Sequence, residues 1–259
     1  MGSHSQVLID PVKSIVFKKI FDSDHFSLEV ETTKAALTTA AKTGAFAVPQ
    51  ILAVDKRENV ICFEYIPSLT PLSGLLEQAG STESSTIMKR VGNALAAIHT
   101  GQMVNRKTIP IPIHFTNHST QSYLHGDFNL ANIQIDPATD RIVVLDWAFT
   151  PLGNQTGNWG PVYWDLAWML NSIFTFPPFW GAGYRGRLSL ADNFLKAYHS
   201  QTMELRDLND FSAYCLNVFR LFVRKSLRQK LSTFLVFLPN RLQFARYALS
   251  LKKVNLGNE

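Results

Sequence analysis

His125-Gly126-Asp127-Phe128-Asn129-Leu130-Ala131-Asn132, followed closely by Ile142-Val143-Val144-Leu145-Asp146-Trp147, decides how the rest of the chain is read. Residues 130–135 have the pattern of a short strand, Pro137-Ala138-Thr139-Asp140 carry turn chemistry, and residues 142–145 form a second apolar strand. A hairpin brings its outer ends together, so Asp127, Asn132 and Asp146 are expected to converge on one point. Hard cations take carboxylate and carboxamide oxygens as ligands. A carboxylate beside such a cation can accept the proton of an attacking hydroxyl, so the cluster suits phosphoryl transfer. Taken singly, Asp127 and Asn132 read as turn formers and Asp146 as a strand end; the signal lies in the ordered set.

A chain of 259 residues with 46% hydrophobic content can bury a sizeable core, as one large domain or two lobes. Cys62 and Cys215 are far apart in apolar surroundings, which predicts free thiols. The sequence does not open with a basic start and an apolar run, and no apolar stretch reaches membrane-spanning length. The expected setting is cytoplasmic, without an integral membrane segment. Gly2-Ser3-His4 has the look of a cloning remnant and is set aside. The net charge of +5 is uneven: residues 169–259 hold 8 Arg and 5 Lys against 3 Asp and 2 Glu, a net +8. Solvated amphipathic helices explain this better than an anionic partner, and no nucleic-acid motif accompanies it.

The order H-G-D-x-x-x-x-N, then hydrophobic-D-W, resembles the catalytic and metal loops of the aminoglycoside phosphotransferase and choline kinase family. The resemblance spans roughly residues 14–198 and implies an α+β, two-lobed protein-kinase-like fold. A small antiparallel-sheet N-lobe would occupy residues 1–66 and a larger, mainly helical C-lobe residues 67–259. By resemblance, Asp127 is the catalytic base, and Asn132 and Asp146 are the ligands of Mg2+. Tyr163-Trp164-Asp165-Leu166-Ala167 is similar to the family's D-L-A segment, which makes Asp165 the anchor of the catalytic loop.

Residues 6–9 and 14–21 read as strands joined by a turn at Asp10-Pro11. Two-residue alternation places Ile15, Phe17, Lys19 and Phe21 on one face and leaves Lys18 solvated. Lys19-Ile20-Phe21 resembles the segment of the family's phosphate-gripping lysine, though Lys19 also reads as an ordinary edge-strand lysine. A helix follows over about 24–42, with Asp22, Ser23 and Asp24 as N-caps and Gly44 as its stop. Glu29 falls among its apolar positions and needs a cation, with Lys19 the natural partner and Glu31 the substitute carboxylate.

Phe63-Glu64-Tyr65-Ile66-Pro67 resembles the hinge between lobes, which implies that backbone groups of Glu64 and Ile66 bind adenine. Residues 88–99 read as a helix whose His99 is packed. His114 and His118 have zinc-motif spacing but lack the glutamate. Gly181-Ala182-Gly183-Tyr184-Arg185-Gly186 fits a nucleotide motif formally. Pro177-Pro178 rules out the central strand that motif requires, so the segment reads as the start of a substrate-lobe helix. Phe176, Phe179, Trp180 and Tyr184 are candidates for acceptor-pocket walls or for core. Residues 208–251 read as two or more helices, broken at Pro239-Asn240.

The start leaves room for one hairpin strand before Lys19, so the N-lobe is expected to be abbreviated over the nucleotide's phosphates. The expected function is ATP- and Mg2+-dependent phosphorylation of a small-molecule hydroxyl on an aminoglycoside-, choline- or sugar-like acceptor. The alternative is a non-catalytic pseudokinase that binds a ligand or a protein. The sequence does not specify an oligomeric state.

Overall fold

Two β-prone runs meet at the Asp10-Pro11 turn, where the carboxylate of Asp10 accepts the Lys13 N–H at 3.0 Å. In the computed structural model these runs are β1 (Ser5–Asp10) and β2 (Ile15–Ile20), paired antiparallel. The structure describes residues 5–101, 107, 119–147, 157–175, 183–229 and 231–253, and the backbone alone for 225–229, 231–237 and 253. With β3 (Ile51–Asp55) and β4 (Val60–Glu64) the first hairpin makes a four-stranded sheet ordered β1-β2-β4-β3, antiparallel throughout. This is the small N-terminal sheet expected from the sequence, with β1 at its edge.

Helix α1 (Ser23–Thr43) covers that sheet. Asp22 caps it by accepting the His25 N–H at 2.7 Å, and Gly44 ends it in the left-handed conformation that glycine adopts without strain. Ile20, Phe26 and Ile61 form a small buried cluster between sheet and helix. That contact decides which way β2 faces. Lys18 and Ile20 point inward, whereas Lys19 is half-buried and Phe21 exposed. The alternation read from the sequence was therefore one residue out of phase. Apolar residues stand on both faces of 15–21, so pattern alone could not choose, and a one-residue change of phase moves every side chain to the other face.

The remainder is mainly helical. The described residues hold seven α-helices and nine strands. After α2 (Leu72–Gln78), helix α3 (Ser81–Gly101) crosses α5 (Gly183–Thr202) closely enough that Gly92 has no room for a Cβ. Helix α4 (Tyr163–Thr175) is buried along nearly its whole length beneath α6 (Leu208–Gln229) and α7 (Leu231–Ser250). Pro239 lies inside α7 and does not break it, contrary to expectation. The proline forfeits one backbone bond, but Phe244, Tyr247 and Ala248 are fully buried in the main core and hold the helix down. Cys62 and Cys215 are free thiols, as expected.

Between sheet and helices lies a second sheet, β5 (Thr70–Pro71), β7 (Ile133–Asp136) and β8 (Arg141–Val144), ordered β5-β7-β8. β6 (Gln121–Tyr123) pairs with β9 (Trp159–Pro161). The β7–β8 turn is closed by Asp136, which accepts the Ala138 N–H and the Thr139 hydroxyl. Arg90 of α3 grips it from outside through both oxygens of Asp140. Ala47 bridges to β8 by donating to Ile142 O and accepting from Val144, which fastens the chain after α1 to the hairpin. The β7–β8 hairpin itself is the one expected from the sequence.

Candidate active site

The loop of residues 125–132, the candidate catalytic loop, precedes β7, and its backbone is held from below. Asp165, fully buried on α4, accepts the N–H of His125 at 2.7 Å and of Gly126 at 2.9 Å. Gly126 has φ +88°, a conformation L side chains rarely adopt, which is why a glycine precedes Asp127. His99 lies 3.2 Å from Asp165 through Nε2 and 2.8 Å from the Tyr198 hydroxyl through Nδ1, so it ties α3, α4 and α5 to the loop. His99 is packed and Asp165 anchors the loop, as read from the sequence.

His125 joins the two halves of the motif. Burial holds its ring below the usual histidine pKa, and the neutral ring donates through Nε2 to Leu145 O at 2.8 Å. Its Nδ1 then accepts the Asp127 N–H. Leu145 also donates its N–H to Asn132 O at 2.9 Å. Asp146 follows at φ +59°, a strained position for a residue other than glycine. Asp127, Asn132 and Asp146 are thereby brought to one place.

Asp127 is surrounded by donors. Its Oδ1 receives Asn129 Nδ2 at 2.8 Å and Trp168 Nε1 at 2.6 Å, and its Oδ2 receives Asn132 Nδ2 at 3.0 Å. Burial pushes its carboxyl up to about 6 against the pull of these bonds. Neither Asn129 nor Trp168 was singled out from the sequence. The spacing of Trp164 and Trp168, one helical turn apart and beside Asp165, was the available signal.

Lys18 Nζ, not that of Lys19, meets Glu29 Oε1 at 2.5 Å and Asp146 Oδ1 at 2.8 Å. Lys19 instead pairs with Glu58 at 3.1 Å on the surface. Glu29 is the buried carboxylate of α1 and Glu31 is exposed, so the expected helix–strand ion pair exists with the neighbouring lysine. Burial works against the Lys18 ammonium, but the charges of Glu29 and Asp146 outweigh it and hold its pKa above the usual lysine value. Burial likewise opposes the Asp146 carboxylate, and Lys18 holds it below the usual carboxylate range.

Lys18, Glu29, Glu64, Ile66 and Asp146 line one cleft of about 530 Å³, roofed by Val7, Ile9 and Val16 and floored by Val144 and Leu145. The Glu64 N–H is committed to Gln50 O, leaving only its carbonyl to face a ligand. Both Asn132 Nδ2 contacts go to Asp127, which leaves Oδ1 as the atom of Asn132 able to bind a cation. Asp146 keeps Oδ2 once Oδ1 is on Lys18. One carboxamide and one carboxylate oxygen suit Mg2+, which is commonly held by few protein oxygens plus phosphate and water. Among the described residues no group of three His, Cys, Asp or Glu is arranged to hold a metal. His114, His118, Phe176, Phe179 and Trp180 lie outside the described residues. The Tyr184 ring packs on Phe174 and under Arg246 at the start of α5.

No curated protein matches the sequence. Residues 106–207 match the phosphotransferase enzyme family, and that stretch contains the loop of residues 125–132, Asp146 and Asp165. Several solved structures share the fold. A choline/ethanolamine kinase family protein from Mesorhizobium loti aligns over 98% of this chain and 87% of its own, with 16% identity and a TM-score of 0.56. Choline kinase LicA from Streptococcus pneumoniae aligns over 98% and 92%, with 14% identity and a TM-score of 0.56. A glucosamine kinase in complex with glucosamine, ADP and inorganic phosphate aligns over 95% and 76%, with 12% identity and a TM-score of 0.57. The central stretch of this chain is thus similar to the phosphotransferase enzyme family, and the chain along nearly all its length has the protein-kinase-like fold of small-molecule kinases.

Proposed function

We propose that the protein is an ATP- and Mg2+-dependent phosphotransferase that moves the γ-phosphate to a hydroxyl of a small molecule. The observation that carries this reading is the meeting of Lys18, Glu29 and Asp146 in one cleft beside the Asp127–Asn132 pair. The lobe boundary falls at Ile66-Pro67, between the end of β4 and β5, whose Thr70 already pairs with Ile135. The nucleotide lies in the cleft, with adenine against the Glu64 carbonyl and Ile66 backbone and the polyphosphate toward Lys18. Lys18, fixed by Glu29, takes the role first read for Lys19.

When bound, Mg2+ supplies charge neutralisation on the polyphosphate, held through Asn132 Oδ1 and Asp146. Asp127 orients the acceptor hydroxyl and receives its proton as the oxygen forms its bond to the γ-phosphorus. The bond from that phosphorus to the β–γ bridging oxygen breaks, ADP leaves, and Asp127 returns its proton to solvent. The protein's contribution is mostly positioning and electrostatic stabilisation.

The test is ADP release from Mg-ATP in the presence of choline, ethanolamine or glucosamine, the groups that appear in the names of the structural relatives. Acceptor-dependent release that Asp127→Ala reduces by about 10²–10⁴-fold, with folding retained, is expected. Saturable nucleotide binding without turnover on any alcohol would point instead to a binding module.

A further inference from the structure

Trp164 and Trp168 lie one turn apart on α4 with their rings stacked at 5.1 Å and 15°. Each indole donates upward into the catalytic loop, Trp164 Nε1 to Gly126 O at 2.8 Å and Trp168 Nε1 to Asp127 Oδ1 at 2.6 Å. The Trp168 ring also packs on Phe222 of α6, with centroids 4.7 Å apart. The indole is thus held by two ring contacts, and Trp168 as a whole is 5% exposed. An indole N–H donates only and does not titrate in the working range, so it can neither compete for the acceptor's proton nor accept a bond from it.

The count of bonds at Asp127 then becomes informative. A carboxylate offers about four acceptor directions, two on each oxygen. Asn129 and Trp168 fill those of Oδ1, while Asn132 takes one on Oδ2. Among the described residues the remaining direction is on Oδ2, the oxygen on the Asn132 side. Resting on the phosphotransferase reading above, we propose that Trp168 is a positioning residue, whose indole, held by Trp164 and Phe222, pins Oδ1 of Asp127 and so presents Oδ2 to the acceptor hydroxyl. Trp168 acts through Asp127 and takes no proton itself.

Two measurements on the full chain test this. In Trp168→Phe the ring stays and the donor is lost. The expected result is a kcat lower by on the order of tenfold to a hundredfold, the scale of one hydrogen bond to a charged group, with KM for ATP and for the phosphorylated alcohol unchanged. Trp168→His, which restores an N–H, recovers part of that loss. A raised acceptor KM with unchanged kcat would make Trp168 a wall of the acceptor pocket, and equal losses in both variants would reduce it to packing; either overturns the proposal. The second measurement is indole NMR on tryptophan-labelled protein, with the Trp168 signal assigned by its loss in Trp168→Phe. Asp127→Asn should move that signal and leave the Trp164 signal nearly in place; an unmoved Trp168 signal overturns the contact. If the wild type phosphorylates no alcohol, the phosphotransferase reading fails, and the NMR result still decides whether Trp168 holds Asp127.

Discussion

Exchanging either of two adjacent lysines for methionine separates the structural account most sharply. Lys18 lies between Glu29, whose side chain is 7% exposed, and Asp146. Lys18→Met leaves Glu29 buried opposite an apolar side chain, and stranding one member of a buried pair costs about 3–5 kcal/mol. At ~2–4 °C per kcal/mol for a chain of this size, the midpoint should fall by roughly 10 °C. The loss has a pH signature. Burial already pushes the Glu29 carboxyl up, and without Lys18 it rises further. Between the unfolded and folded values the native variant binds more protons than the unfolded chain, so its stability falls as pH rises, by at most ~1.4 kcal/mol per pH unit. The gap to wild type should therefore widen from pH 6 to pH 8, and Glu29→Gln combined with Lys18→Met should remove the pH dependence. Lys19→Met breaks only a surface pair with both side chains largely exposed, 44% and 64%, which contributes ~0–1 kcal/mol. Differential scanning calorimetry at the two pH values, with and without Mg-ATP, reads all of this. A Lys19→Met loss equal to or greater than that of Lys18→Met, or loss of nucleotide stabilisation in Lys19→Met alone, would refute the assignment.

Three further outcomes are expected. Gly92→Ala should destabilise by about 1–3 kcal/mol, measured by urea unfolding, because its Cβ would sit 2.5 Å from Phe194 O and the α3–α5 crossing would have to open. Asp165→Asn turns an amide donor toward His125 N–H or Gly126 N–H, leaving one buried donor unmet. A cost of about 1–3 kcal/mol and a matching fall in turnover are expected, checked by unfolding and by ADP release. The kcat/KM profile should lose activity as pH falls through about 6, where the raised Asp127 carboxyl takes up a proton and ceases to act as a base.

Legibility followed how local the chemistry was. The H-G-D-x-x-x-x-N loop and Asp146 sit within one hairpin, so spacing alone brought Asp127, Asn132 and Asp146 together. The caps of α1 were equally readable, since Asp22 and Gly44 act on their own turns. Lys18 was missed because the phase of β2 is set by packing against other elements, Phe26 of α1 and Ile61 of β4, and not by the alternation within the strand. Trp168 was missed because an indole in an apolar helix reads as core, which it is, and its donor matters only once α4 lies beneath Asp127. Pro239 misled for a similar reason: a breaker rule speaks for an isolated helix, and α7 is held by the core.

The balance of charge in the cleft leads to one more consequence. Among the described residues lining it, Lys18 stands as a cation against Glu29, Glu64 and Asp146, and Asp127 is near enough to Asp146 for their charges to repel. Lys18 is already shared between two carboxylates, so on its own it does not offset the charge of a triphosphate. A polyanion entering alone would meet net negative charge, at a separation and dielectric where each unit pair is worth on the order of a few kcal/mol. A divalent cation would reverse that sign at Asn132 Oδ1 and Asp146 Oδ2, the atoms without a partner among the described residues. ATP should therefore stabilise the fold only together with Mg2+: at ~100 times the dissociation constant the complex adds about 2.7 kcal/mol. With EDTA the shift should vanish, as it should for Mg-ATP in Asp146→Ala. Equal stabilisation by ATP with and without the cation would show that the phosphates are not held beside Asp146.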